Sequence, residues 1–102
     1  MNGSFLIPCE FTLNNLLYKV VIRDKYLSKK GYWGQACLNK RVVKLCNKFN
    51  EVELPKETKE KTFFHELVHT ILDSIGEYKL NENEDFVDAF AERLYEYEKS
   101  KQ

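Results

Sequence analysis

The sequence predicts an α+β fold in which a small three-stranded antiparallel sheet packs on two helices. Three features indicate this: strand-like segments up to residue 46, a long apolar segment after Pro55, and apolar residues at helical spacing after residue 82. The 102 residues contain no repeat or low-complexity tract that would divide them. We therefore expect one domain over residues 1–102.

The predicted sheet lies between residues 17 and 46. Its first strand is "YKVVIRD", although the residues before it also fit the start of a short helix. The segments "YWGQACL" and "RVVKLC" are separated by "NK", which suits a tight reversal and predicts a hairpin. We expect the following segment, "NKFNEVEL", to be a loop.

Two helices are predicted after the sheet. Pro55 fits the first turn of a helix, where its missing N–H costs nothing, and Gly76 can adopt the left-handed conformation that ends this helix near Ile75. Asn81 is a candidate cap for a second helix that begins at Glu82. The apolar face of the second helix is expected to consist of Phe86, Val87, Phe90, Ala91, Leu94 and Tyr97.

Charge and cysteine content restrict the classes of function. Residues 1–50 carry nine basic and two acidic side chains, and residues 51–102 carry seven and fourteen, so we expect the halves to complement each other in one fold. No nucleic-acid-binding motif accompanies the basic half, and no nucleic-acid partner is expected. Cys9, Cys37 and Cys46 lack metal-binding spacing. With no apparent secretory signal or membrane span, we expect a cytoplasmic protein with reduced thiols and no membrane partner.

The two histidines of the chain lie in "FFHELVHTIL", residues 63–72. His65 and His69 are one helical turn apart on the same face, where both imidazoles can reach one metal ion. In an HExxH pattern the histidines bind zinc, and the glutamate, here Glu66, faces the bound water as a general base. The alternative is an ordinary helix with two histidines. The apolar neighbours predict a buried helix, and buried imidazoles without a metal or cleft are costly, which favours one Zn²⁺ per chain.

A catalytic zinc ion usually has three protein ligands, so a third ligand is required. We select Glu84, because it stands at the start of the second helix, one turn before Asp88, and the two carboxylates share a face. Asp88 can then accept the other N–H of a ligating histidine. Alternatively, Glu84 forms a capping box with Asn81 and Asp88 is a solvated acid. The downstream acids from which Glu84 is selected are Asp73, Glu77, Glu82, Glu84 and Asp85.

HELVH followed by "ENEDFVDAFAERL" resembles the gluzincin metallopeptidases, in which HExxH precedes ExxxD on a second helix. The second segment is similar to the "ExxANxFAxxLL" segment of the ImmA/IrrE-type branch, which is associated with phages and mobile elements, although Val87 and Asp88 stand where that branch has Ala and Asn. The resemblance implies a minimal single-domain zincin-like fold, peptide-bond hydrolysis assisted by Glu66, and Glu84 as the third zinc ligand.

The resemblance also has implications for the substrate. "YWGQACLNKRVVKLC" is similar to the edge strand and return strand of this clan, which implies that a peptide pairs with the backbone of residues 34–38. We expect Trp33 to be a packing residue. The gluzincin mechanism also requires an oxyanion donor, for which Tyr95 and Tyr78 are candidates, although packing is the simpler role of each.

Two classes of function remain open: a zinc metallopeptidase, or a non-catalytic zinc-stabilised interaction or regulatory module. The second class has no need of Glu66, and a structural zinc ion usually has four protein ligands. The presence of Glu66 between the histidines favours the enzyme.

Overall fold

The computed structural model describes residues 5–101, which form an α+β fold as predicted from the sequence. Within residues 5–101, no helix is long and apolar enough to span a membrane. The elements, in chain order, are β1 (Glu10–Leu13), β2 (Leu16–Ile22), α1 (Asp24–Lys30), β3 (Gly34–Cys37), β4 (Val42–Leu45), β5 (Lys48–Phe49), β6 (Val52–Glu53), α2 (Lys56–Ser74), α3 (Tyr78–Glu82) and α4 (Glu84–Ser100).

The main sheet has four strands in the order β1-β2-β4-β3, and it is mixed. β2 and β4 are parallel, while β1–β2 and β3–β4 are antiparallel. The prediction of three antiparallel strands is therefore wrong. The reason is α1, which lies between the first predicted strand and the predicted hairpin and buries Leu27 completely. α1 carries the chain from β2 to β3 at the far edge of the sheet, and β4 then returns between β2 and β3.

The turns explain the remaining strands. Asn14 and Asn15 have φ values of 51° and 63°, as in a two-residue hairpin turn, so β1 replaces the short helix considered before the first strand. The predicted hairpin of β3 and β4 is confirmed, with a short 3₁₀ turn over Leu38–Lys40 in its connection. The segment "NKFNEVEL", expected to be a loop, contains the small β5–β6 hairpin.

α2 ends where the sequence predicts. Gly76 has a φ of 77°, its N–H donates to the Asp73 carbonyl at 3.1 Å, and the Glu77 N–H donates to the Leu72 carbonyl at 2.9 Å. These two bonds satisfy carbonyls that a helix end leaves without partners. Pro55 precedes the first helical residue as the N-cap.

α4 begins two residues later than predicted. Its cap is Asn83, whose side-chain oxygen accepts from the Phe86 N–H at 3.1 Å, so the assignment of Asn81 as the cap is wrong. Asn81 lies instead in α3, a five-residue helix in a segment expected to be a connection. Because α3 extends to Glu82 and Asn83 is the cap, α4 begins at Glu84.

The core lies between the sheet, α2 and α4. Of the apolar face predicted for α4, Val87 and Ala91 are buried and Phe86 and Leu94 pack against the core. Phe90 and Tyr97 are 51% and 58% exposed, and Tyr95 is buried on this face instead. The buried core residues are Val43, Leu45, Phe63, Phe64, Val68, Leu72, Val87, Ala91 and Tyr95.

Tyr95 belongs to this core through a buried hydrogen bond. Its hydroxyl donates to Glu60 Oε1 at 3.1 Å, and Lys99 Nζ lies 3.5 Å from the same oxygen. Burial, together with the hydrogen bond to Glu60, raises the pKa of Tyr95 to about 12, so the phenol remains a donor at neutral pH. Tyr95 therefore joins α4 to the first turns of α2.

Tyr95→Phe should destabilise the fold by about 1–3 kcal/mol, because it removes the hydroxyl donor of a buried carboxylate. Urea unfolding measures the change. The matched control is Tyr97→Phe on the same helix, where the ring is exposed and the change should stay within about 0.5 kcal/mol. Equal stability of the two variants would contradict the assigned role of Tyr95.

Candidate metal centre

The two histidines lie in the middle of α2, on the face opposite its most deeply buried side chains. The rings of His65 and His69 have centroids 4.9 Å apart, and their side chains are 26% and 16% exposed. Phe64 and Val68 anchor the same helical turns in the core. The helix is therefore fixed from one side while both imidazoles remain accessible from the other.

Glu84 brings a carboxylate to both histidines. Its Oε1 lies 3.2 Å from His65 Nε2, and its Oε2 lies 3.4 Å from His69 Nε2. One ligand atom from each of the three residues lies within 4.8 Å of the others. Ligands about 2.1 Å from a tetrahedral ion are about 3.4 Å from each other, and each histidine Nε2 lies at about this distance from one of the two Glu84 oxygens. The three residues selected from the sequence as ligands are thus brought together.

Two oxygens hold the outer nitrogens of the imidazoles. His65 Nδ1 lies 2.8 Å from Asp88 Oδ1, and His69 Nδ1 lies 2.6 Å from Asn81 Oδ1. With a metal ion bound at the two Nε2 atoms, each Nδ1 would carry the proton and donate it to the oxygen beside it. A metal ion bound at Nε2 requires this tautomer. Asp88 lies beside the other ring nitrogen of a histidine, as the sequence predicts.

Asn81 is the site residue that sequence reasoning missed. It was assigned as a helix cap, a role that Asn83 performs. One signal could have corrected this: a cap directly precedes its helix, so placing Glu84 first in the helix requires Asn83 as the cap and frees Asn81. The approach of α3 to His69 is a tertiary feature that local sequence does not encode.

Asn81→Ala should weaken zinc binding by about 10- to 100-fold, because the His69 ring loses the acceptor that fixes its orientation and tautomer. Competition with a chromogenic zinc chelator measures the affinity. Asn83→Asp is the control, since aspartate preserves the cap and makes no contact with His69. Unchanged affinity in Asn81→Ala would exclude a positioning role for this amide.

Glu66 follows His65 in α2, and its side chain lies against strand β3. The residue is 7% exposed, and burial raises the pKa of its carboxyl above the usual value of 4.5. Protonation of His65 or His69 and the backbone N–H of Ala36 would offset part of this effect, whereas the Glu84 carboxylate adds to it. A buried carboxylate with a raised pKa is a stronger base than one in water. Glu66 is thus buried, whereas Glu84 is largely exposed.

An open cleft runs past these residues in two lobes of about 440 and 360 Å³. Both lobes are lined by Tyr32, Gly34, His65 and Glu66. The first lobe continues to Trp33, Lys61, Thr62 and Asp88, and the second to Gln35, Ala36, Leu38, His69 and Glu84. An extended ligand in this cleft would therefore cross the site beside the edge strand.

The two tyrosines considered as oxyanion donors line neither lobe. Tyr95 is buried and bonded to Glu60, which confirms packing as its role. Tyr78 is 63% exposed at the start of α3. The phenol that does line both lobes is Tyr32, in the loop between α1 and β3, where it is half exposed together with Trp33.

Comparison with known proteins gives no match, whether to a family model, to a curated protein or to a solved structure. The functional interpretation therefore rests on the side chains of this chain.

Proposed function

We propose that this protein is a zinc-dependent endopeptidase of minimal zincin-like architecture. The observation that carries the proposal is the convergence of His65 Nε2, His69 Nε2 and the Glu84 carboxylate, with Glu66 beside them and not among them. Two imidazoles and one carboxylate are a ligand set that zinc favours. Three protein ligands leave a position open, which distinguishes catalytic sites from closed structural ones.

The residues around the ligands have separable roles. A bound zinc ion would polarise a substrate carbonyl and lower the pKa of water at the site. Glu66 accepts a proton from the attacking water and hands it to the leaving amine. Asp88 and Asn81 hold the two imidazoles with their Nε2 atoms toward the metal position.

The free edge of β3 is the proposed docking position for the peptide backbone. The Cys46 N–H donates to the Trp33 carbonyl at 3.0 Å. Since bonding alternates along an antiparallel pair, Gln35 and Cys37 point their backbone groups toward β4. The N–H and carbonyl of Gly34 and the carbonyl of Ala36 then point outward, into the cleft, where an extended substrate can add as a further strand, while the Ala36 N–H faces Glu66. This narrows the docking segment expected over residues 34–38 to two residues.

The test is hydrolysis of unstructured substrates by the zinc-loaded protein. Reduced, denatured proteins and a mixture of unstructured peptides are incubated with it, and the products are identified by mass spectrometry. We expect cleavage that stops on addition of 1,10-phenanthroline and returns on addition of zinc. Stoichiometric zinc without any cleavage would contradict the proposal and support the alternative, a zinc-stabilised interaction module.

A further inference from the structure

We propose that Gly34 is a positioning residue for Glu66. The inference rests on the proposed function: by lacking a side chain, Gly34 lets β3 lie directly against α2 and hold the carboxylate of Glu66 at the metal position. Gly34 lies at the start of β3, where both lobes of the cleft meet.

The space available to a side chain at Gly34 carries the argument. A Cβ at this position would lie 2.6 Å from Thr62 Cγ2, 3.2 Å from Glu66 Cγ and 3.3 Å from Glu66 Oε2. Glycine is often needed for a positive φ, but the glycines with positive φ among the described residues are Gly31 and Gly76. Close packing, and not backbone conformation, therefore explains glycine at this position.

The neighbours of Gly34 differ in how well they can yield. Thr62 is β-branched and lies within α2, so its χ1 angle is restricted and its methyl group cannot turn away freely. An alanine must then push β3 from α2, and its Cβ would also crowd the Glu66 side chain. This displacement changes the position of the Glu66 carboxylate relative to His65 and to the backbone N–H of Ala36. The three atoms nearest to this Cβ position belong to Thr62 and Glu66, not to the proposed metal ligands.

The experiment compares wild type with Gly34→Ala in three measurements. We expect one zinc ion per chain in both proteins, and a kcat lower by at least about tenfold in Gly34→Ala, because a general base is misplaced. The third measurement is independent of activity: the ¹³C NMR signal of the Glu66 carboxyl carbon should move in Gly34→Ala.

Two further variants separate positioning from loss of stability. Gly76→Ala strains the end of α2 at a φ of 77°, far from Glu66, and should lower stability with kcat unchanged. Gly34→Ala/Thr62→Ser removes the 2.6 Å contact and should recover most of the kcat lost in the single variant. If Gly34→Ala does not fold, the double variant is measured in its place. The Glu66 signal of the double variant should then differ from that of wild type, and its kcat should be about two- to threefold below wild type, because the two Glu66 contacts persist.

The outcomes are distinct. An unmoved Glu66 signal together with wild-type kcat in Gly34→Ala overturns the inference, as does loss of zinc from that variant. If wild type itself cleaves nothing, the proposed function fails, and the NMR signal still decides whether Gly34 positions Glu66.

Discussion

Replacing Glu66 with Gln should reduce peptide hydrolysis by about 10²- to 10⁴-fold and leave one zinc ion per chain. The amide has nearly the shape of the carboxylate, so it fits the same narrow space beside Gly34 and can still face the Ala36 N–H. It is not basic, and at 7% exposure the residue leaves little room for a solvent molecule to take over the proton transfer. The loss should therefore appear in kcat.

The matched control is Glu92→Gln, which makes the same chemical change on the exposed surface of α4, where Glu92 pairs with Arg93. Its activity should equal that of wild type. Cleavage by Glu66→Gln at the wild-type rate would show that the assigned mechanism is wrong. Loss of zinc from Glu66→Gln would instead indicate that Glu66 binds the metal ion.

Zinc should also stabilise the fold strongly. His65 and His69 belong to α2 and Glu84 to α4, so one ion bound by all three ties two helices together. At a free zinc concentration about 1,000 times Kd, the stabilisation is about 4 kcal/mol. For a domain of this size each kcal/mol raises Tm by about 4–8 °C, so zinc should raise Tm by at least about 15 °C.

Glu84→Gln provides the comparison for this second prediction. It removes the charged ligand and the link to α4, so its Tm should respond to zinc far less than that of wild type. Thermal unfolding with zinc and with a chelator measures both proteins. An equal rise in the two proteins would place the metal elsewhere.

The ligands could be predicted from sequence because their arrangement is local. His65 and His69 are related by one helical turn, and Glu84 and Asp88 by another, so two short segments define four of the side chains. This spacing holds although the helix was predicted to begin two residues too early, with Asn81 as its cap. The approach of the two helices could not be predicted from these segments.

Sheet order and α4 orientation depend on distant contacts and could not be predicted in the same way. The mixed sheet follows from α1, a seven-residue helix with one fully buried side chain, Leu27, which is too short to show helical periodicity. The face that α4 buries includes Tyr95, whose partner Glu60 lies 35 residues away in the sequence. A stripe of apolar residues does not fix the rotation of a helix.

The role of Gly34 is hidden from sequence for a related reason. A glycine in a strand usually indicates a bulge or a close approach, and only the position of α2 decides between them. The space between Gly34 and the Thr62 methyl group depends on how β3 packs on α2.

Zinc content per chain, measured by native mass spectrometry, tests the central claim most directly. Wild type and Asp85→Ala, which changes the acid next to the ligand, should each carry one zinc ion, while His69→Ala and Glu84→Ala should carry none. Zinc that survives Glu84→Ala, or a wild-type protein that binds no zinc at all, would contradict the site of His65, His69 and Glu84.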